Sequence, residues 1–178
     1  YIEDKSGNKI LLTRNAKVKI FTNDEEKFSL NIPFGSRILF KDEDSVKSNQ
    51  LLADWDPYTL PIIAEKKGFI RYVDLKQGIS FRDAVDDTTG ISSKIVIDWS
   101  QNPKSKNFKP SINVSKNNNI DAEIDIDADN VFSYPMSIDT ILSVEDGAEV
   151  EAGQVIARIP KESSKTKDIT GGLPRVAE

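Results

Sequence analysis

Residues 144–156 decide the fold, and they read VEDGAEVEAGQVI. An apolar strand end is followed by an acidic turn at Asp146 and Gly147, a short connection and a second apolar strand. Gly147 and Gly153 can supply the left-handed backbone that a chain reversal needs. Val150, Val155 and Ile159 are predicted to face inward. This pattern predicts a strand–turn–strand unit.

A similar stretch lies 104 residues earlier, in residues 42–55. The apolar positions of residues 146–159 recur there at the same spacing, and Val18-x-Ile20 mirrors Ile112-x-Val114 farther upstream. The sequence therefore predicts two copies of one small β unit, with chance similarity between two short pieces as the alternative. Glu43 stands where the second copy has Gly147. Because Glu tolerates left-handed backbone poorly, the first turn is predicted to have a different shape.

Alternation of apolar and polar residues runs through the rest of the chain, and no long helical stripe occurs before residue 168. The strand candidates are separated by turn clusters rich in Asn, Asp, Thr and Gly. The sequence therefore predicts an all-β fold, with strands in residues 16–20, 28–32, 68–73, 94–97, 112–114 and 155–159. Residues 100–107 have almost no apolar content and are predicted to be a linker, which divides the chain into modules at residues 1–100 and 101–160.

Composition excludes several classes of active site. The chain has no Cys and no His, so it contains no thiolate nucleophile, no Ser–His triad and no Cys- or His-ligated metal. The net charge of -5 gives no basic surface for binding nucleic acid or other phosphates. No stretch has the roughly 18 apolar residues that a membrane-spanning helix needs. The first and last residues suggest a piece excised from a longer polypeptide.

Residues 120–129 alternate acidic and apolar side chains, which raises the hypothesis of a calcium site. An EF-hand loop beginning at Asp125 would need Gly at the position of Asn130 and Glu at that of Met136, and both are absent. The favoured interpretation is an exposed strand whose charges discourage edge pairing. Trp55 and Trp99 are predicted to be core or corner residues, with exposed binding anchors as the less favoured alternative.

Residues 144–156 also resemble the strand–turn–strand of biotinyl and lipoyl carrier domains. Those domains need a modified Lys at a hairpin tip, whereas Met136 is followed here by Ser137. A swinging-arm carrier is therefore disfavoured. A free-standing carrier-like or other β binding module nevertheless stays open as the alternative function.

The most specific resemblance lies in residues 157–178, which are similar to the part of the bacterial DNA-directed RNA polymerase β′ subunit that leads into the second half of the trigger loop. Residues 53–62, 68–72 and 89–93 resemble the insertion that interrupts this loop in proteobacterial enzymes. The resemblance implies two sandwich-barrel hybrid domains, followed at residues 161–178 by the start of the C-terminal half of the trigger loop. It implies that the trigger-loop segment contains Asp168, Thr170, Gly171, Gly172, Pro174 and Arg175.

The resemblance also implies a function in transcription. The fragment would be a non-catalytic insertion that modulates trigger-loop closure during elongation and pausing, within an enzyme that is a nucleotidyltransferase. No catalytic, cofactor or metal residue is carried over, although Mg and Zn are implied for the whole β′ subunit. The implied partners are the rest of β′ and the β, α and ω subunits, with DNA and RNA contacted through the whole enzyme only. The implied location is the bacterial cytoplasm, at the nucleoid and not at a membrane.

Overall fold

A computed structural model describes residues 1–85, 90–116 and 131–161. Its regular structure consists of β-strands, which confirms the all-β prediction. Each of the six strand candidates coincides with an observed strand to within a few residues. The strands are β1 (Ile2–Glu3), β2 (Lys9–Ile10), β3 (Ala16–Thr22), β4 (Glu25–Ile32), β5 (Arg37–Ile38), β6 (Ala53–Asp54), β7 (Thr59–Ile63), β8 (Gly68–Val73), β9 (Phe81–Val85), β10 (Ser92–Val96), β11 (Ser111–Ser115), β12 (Val131–Pro135), β13 (Ile141–Leu142), β14 (Glu149–Val150) and β15 (Val155–Pro160).

Strand pairing separates these strands into two groups, and the named pairings are antiparallel. In the first group, β1-β2-β5-β6 form one sheet and β3-β4 form a two-stranded hairpin. In the second group, β7-β15-β13-β10-β9 and β12-β11-β8-β14 form a five-stranded and a four-stranded sheet. We refer to residues 1–56 as the first unit and to residues 57–161 as the second unit.

The sequence predicted a module boundary between residues 100 and 101, and strand pairing crosses that point in both sheets of the second unit. The partner of β15 is β7, and β8 pairs with both β11 and β14. Residues 100–107 form turns and a bend, and they connect strands of one paired group. Ser105 is buried there, and its hydroxyl donates to the Trp99 carbonyl oxygen at 2.7 Å.

The predicted repeat is present in the backbone. The bond from Leu39 N–H to the Leu52 carbonyl recurs 104 residues later, from Ser143 N–H to the Ile156 carbonyl, and both measure 2.9 Å. The β5–β6 register, in which Ile38 faces Ala53, likewise recurs in β13–β15. Pairing and order along the chain further relate β1 to β9, β2 to β10 and the β3–β4 hairpin to β11–β12.

The turns of the two units also correspond, which corrects the prediction that the first turn differs. Glu43 has a φ of 66° and Gly147 a φ of 79°, so Glu43 adopts the left-handed backbone that Glu tolerates poorly. Asn49 and Gly153 form a second such pair, with φ of 63° and 82°. Hydrogen bonds around each turn hold this conformation, and they override the steric preference of Glu43.

The hydrophobic core lies in the second unit. Ile32 is the buried hydrophobic residue of the first unit, and every other one among the described residues belongs to residues 57–161. Apart from Ile63, these residues of the second unit form one cluster between the two sheets, against which Trp99 also packs. Its members are Ala64, Ile70, Leu75, Phe81, Val96, Ile112, Val114, Met136, Leu142, Val144, Val150, Ile156 and Ala157.

Candidate functional site

The two units meet at a close backbone contact. Gly35 follows the β3–β4 hairpin with a φ of 79°, and a Cβ atom there would collide with the ring of Pro61 in β7. Since proline carbons cannot move aside as a flexible side chain can, this position requires glycine for space as well as for backbone conformation. The first unit is thereby packed directly on the edge strand of the five-stranded sheet.

A cleft of about 450 Å³ opens beside this contact. Its walls include Arg37 and Asp54 from the first unit, Trp55 from the connection, and Leu60 and Arg158 from the second unit. Residues of both units therefore form one concave surface. Trp55 is exposed there, so it is not a core residue, whereas Trp99 packs against the core as predicted.

Paired charges lie along the cleft. Arg37 donates from Nε to Asp54 Oδ1 at 3.0 Å and also bonds the second carboxylate oxygen, across the β5–β6 pair. The hydrogen bond with Arg37 lowers the pKa of Asp54 below its usual value. Nothing in the spacing of Arg37 and Asp54 along the chain indicated this pair, because only the strand register places them opposite each other.

Asp56 fixes the connection between the two units. Its carboxylate accepts from Thr59 Oγ1 at 2.5 Å and from the Tyr58 N–H at 2.8 Å, and it lies 3.7 Å from Arg158. The hydrogen bond from Thr59 is the largest cause of the lowered pKa of Asp56. A carboxylate that accepts from the two residues after a proline stabilises a tight turn, so the direction in which the chain enters β7 is specified locally.

A second set of charges connects the units on another side. Glu151 lies 3.3 Å from Lys5 of the first unit and 3.0 Å from Lys67, and the hydrogen bond with Lys67 is the main reason that its pKa is lowered. A Cβ on Gly153 would touch Asp4 and Ile2 at 3.4 Å. The junction therefore contains both ion pairs and close packing. Because water and salt screen exposed pairs of this kind, their contribution to stability is small.

An exposed apolar surface lies on the β3–β4 hairpin. Ile20 faces Phe28 and Val18 faces Leu30 across the ladder, so these side chains share one face of the hairpin. Phe28 is 64% exposed and Leu30 is 48% exposed. We call these four residues the hairpin face. An uncovered apolar face of this kind is typical of an interaction surface.

The residues that the sequence assigned to a trigger-loop segment, Asp168, Thr170, Gly171, Gly172, Pro174 and Arg175, lie outside the described residues, as does the acidic run 120–129. Met136 is 4% exposed and packs in the core, whereas Ser137, which stands where a carrier domain would have its modified Lys, is exposed. Within residues 1–85, 90–116 and 131–161 there is no group of three acidic side chains placed to hold a metal ion. The same residues contain no helix long and apolar enough to cross a bilayer.

These features define an all-β module of two related units, with a charged junction between them and an exposed apolar hairpin on one of them. No protein-family model matches the chain. The DNA-directed RNA polymerase β′ subunits of Ehrlichia ruminantium strains Gardel and Welgevonden are each 45% identical to it over 178 residues, which is 99% of the chain and 12% of the relative's length. The β′ subunit of Ehrlichia chaffeensis (strain ATCC CRL-10679 / Arkansas) is 43% identical over 179 residues, again 12% of its length.

Over nearly its whole length, the chain is therefore homologous to one segment of the RNA polymerase β′ subunit, as the sequence resemblance indicated.

Proposed function

We propose that this chain is an insertion module in the trigger loop of a bacterial RNA polymerase β′ subunit and that it modulates closure of that loop during elongation and pausing. The observation that carries the proposal is the match of 99% of the chain to a segment that makes up 12% of β′ relatives. Such a segment is too small a part of the subunit to represent its full activity. The sandwich-barrel hybrid architecture is proposed on the same resemblance, and the two all-β units are compatible with it.

The module is proposed to be non-catalytic. The absence of His and Cys from the chain supports this, because general acid–base and nucleophilic groups of those kinds are missing. The polar groups at the junction support it further, since the carboxylates of Asp54 and Asp56 are already bound to neighbouring groups. Nucleotidyl transfer and the implied Mg and Zn sites are assigned to the rest of the polymerase.

Coupling to the trigger loop is proposed to pass through Asp168, Thr170, Gly171, Gly172, Pro174 and Arg175, which the resemblance places at the loop's second half. A tethered module can change the balance between open and closed loop only if it contacts the enzyme differently in the two states. Its proposed partners are therefore the rest of β′ and the β, α and ω subunits. DNA and RNA would be reached through the whole enzyme, in the bacterial cytoplasm and at the nucleoid.

A free-standing carrier-like module is the alternative function, and the structure offers it little support. The residue after Met136, where a carrier domain would have its modified Lys, is Ser137, which has no amine for attachment of a biotinyl or lipoyl group. Mass spectrometry of the intact subunit would test this alternative, because a biotinyl or lipoyl adduct on any Lys of residues 1–178 would favour it.

The decisive experiment is deletion of residues 1–160 from the full-length β′ subunit in assembled polymerase. We expect altered pause lifetimes, with a smaller change in elongation rate and in transcript cleavage. A polymerase carrying the exposed substitution Tyr58→Ala provides the control for changes to the surface alone. Unchanged pausing, elongation and cleavage after the deletion would overturn the modulatory function.

A further inference from the structure

The equivalent hairpins of the two units, β3–β4 and β11–β12, differ in whether a third strand pairs with them. In the second unit, β8 pairs antiparallel with β11, so that Ile70 faces Val114 and Tyr72 faces Ile112. In the first unit, β3 pairs with β4 alone among the described residues. The strand edge that β8 occupies in the second unit is therefore open at β3.

Burial follows this difference in pairing. Ile112 and Val114 correspond to Val18 and Ile20, and they are 0% and 2% exposed. Phe132 and Tyr134 correspond to Phe28 and Leu30, and residues just before β8 cover them. Lys66 Nζ lies 4.5 Å from the centre of the Phe132 ring, and the Glu65 N–H donates to Tyr134 Oη at 3.1 Å. The first unit has no β7–β8 pair of its own, and its hairpin face is exposed.

We propose that an extended segment of the same β′ subunit, from outside these 178 residues, pairs with the open edge of β3 and covers the hairpin face. The second unit gives the geometry of that complex, since β8 shows how a strand lies antiparallel against this hairpin. Binding by strand addition combines main-chain hydrogen bonds with burial of alternate side chains. The chain makes up 12% of its β′ relatives, so most of the subunit is available to supply the segment.

Charge defines the chemistry of the segment. Lys17 and Lys19 are exposed on the opposite face of β3, and Lys19 also pairs with Glu26 at 2.7 Å. Lys19 corresponds to Asn113, and Asn113 faces Arg71 of β8. In the proposed complex, the partner residue equivalent to Arg71 would therefore face Lys19, and a basic residue there would be repelled by a like charge. The segment is therefore expected to alternate large apolar residues with Asp or Glu.

The same charges disfavour a second copy of the chain as the partner. An antiparallel β3–β3 pair centred on Val18 would place Lys17 of each copy opposite Lys19 of the other. Like charges directly opposite each other destabilise a strand pair, whereas an acidic partner strand gains from both lysines.

The test uses the full-length β′ subunit in assembled polymerase, with the photo-cross-linking residue p-benzoylphenylalanine at position 28. The same residue at position 58 is the control, because Tyr58 is 64% exposed, as Phe28 is, and lies outside the hairpin. We expect cross-links from position 28 to a β′ peptide outside residues 1–178, identified by mass spectrometry. Position 58 is expected not to label that peptide.

Charge reversal tests the chemistry independently of the photo-cross-link site. Lys17→Glu with Lys19→Glu is expected to lower the cross-link yield by about five- to tenfold, because two favourable pairs become unfavourable. Lys41→Glu with Lys47→Glu makes the same change in charge at exposed positions away from β3 and should leave the yield unchanged.

Several results would overturn the proposal. They are labelling no stronger than at position 58, labelling of another subunit, labelling of a second copy, labelling of residues 117–130 of the chain itself, and insensitivity of the yield to charge reversal. The proposal rests on membership in an assembled polymerase but not on any effect on pausing. Because the readout is a cross-link, its failure is distinguishable from failure of the proposed function.

Discussion

The β3–β4 hairpin and the β11–β12 hairpin have the same place in their units and very different surroundings. Ile112 and Val114 are buried and lie opposite Tyr72 and Ile70 of the neighbouring strand β8, whereas Val18 and Ile20 share a face with the exposed Phe28. The apolar residues of both hairpins stand at equivalent positions of the strand ladder, and the turns that follow the hairpins are equivalent. Hairpin formation is therefore specified locally by alternation and turns, while burial depends on whether another strand is supplied.

This difference has an energetic consequence. Burial of a large aliphatic side chain contributes about 1.5–3 kcal/mol, and the second unit has many such side chains. The first unit buries Ile32 and otherwise depends on the junction around Gly35 and Glu151. We therefore expect the second unit to be stable through its own core and the first unit to depend for its stability on its contacts with the second unit.

The largest expected effect comes from truncating equivalent positions of the two hairpins. Ile112→Ala should lower the free energy of unfolding by about 2–5 kcal/mol, because it leaves a cavity in a closed core. Val18→Ala should cost about 1 kcal/mol or less, since that site is only half-buried and can relax. Urea unfolding of the 178-residue chain, followed by far-UV circular dichroism, which reports the strands of both units, measures the two losses.

The same pair of variants can contradict the comparison. Equal losses for Ile112→Ala and Val18→Ala would mean that the first hairpin is covered as completely as the second. A loss for Ile112→Ala below the expected range of about 2–5 kcal/mol would show that the β8–β11 contact contributes less to stability than the burial of Ile112 indicates.

The turns give a smaller and oppositely signed pair of effects. Glu43→Gly should stabilise the chain by up to about 1 kcal/mol, because glycine adopts the left-handed backbone of this position without the steric strain that the Glu43 Cβ causes. Gly147→Ala should destabilise it by about 1 kcal/mol through backbone conformation, since a Cβ there has open space around it. Thermal unfolding checks both signs, and destabilisation by Glu43→Gly would show that the Glu43 side chain makes a compensating contact.

Glu43 also shows how far sequence reasoning reached. The 104-residue repeat and the alternation predicted the β units and their turns, because both signals depend on local backbone preference. The local preference of Glu43 argued against an equivalent turn, and the surrounding hydrogen bonds prevailed over it. Pairing of β7 with β15 and of β8 with β11 joins residues separated by about forty to a hundred positions, and no local pattern contains that information.

The junction between the units, like the exposed hairpin face, was visible only in three dimensions. Arg37 and Asp54 have no distinguishing spacing, and Gly35 is one of nine glycines until Pro61 is placed against it. Trp55 closes an apolar stretch and is therefore predicted to be a core or corner residue, yet the fold leaves it exposed in the wall of the cleft. Sequence patterns therefore predicted the elements of each unit, whereas contacts between the units required the fold.

The smallest expected effect tests whether the charged cleft stabilises the contact between the units. The pKa of Asp54 is lowered in the folded chain from a reference value of 3.8, so its pairing with Arg37 stabilises the fold above that value. This contribution declines as the pH falls below about 4 and disappears once the pH is below the folded pKa. Because both side chains are more than a third exposed, the loss should be less than about 1 kcal/mol and smaller at high salt.

Asp54→Asn should accordingly destabilise the chain at pH 7 but much less at low pH, as urea unfolding would measure. Asp24→Asn, which changes an exposed carboxylate at the tip of the β3–β4 hairpin, is the matched control. If Asp54→Asn costs the same free energy at both pH values, the ion pair does not stabilise this part of the molecule, and the contact between the units depends on the packing of Gly35 against Pro61.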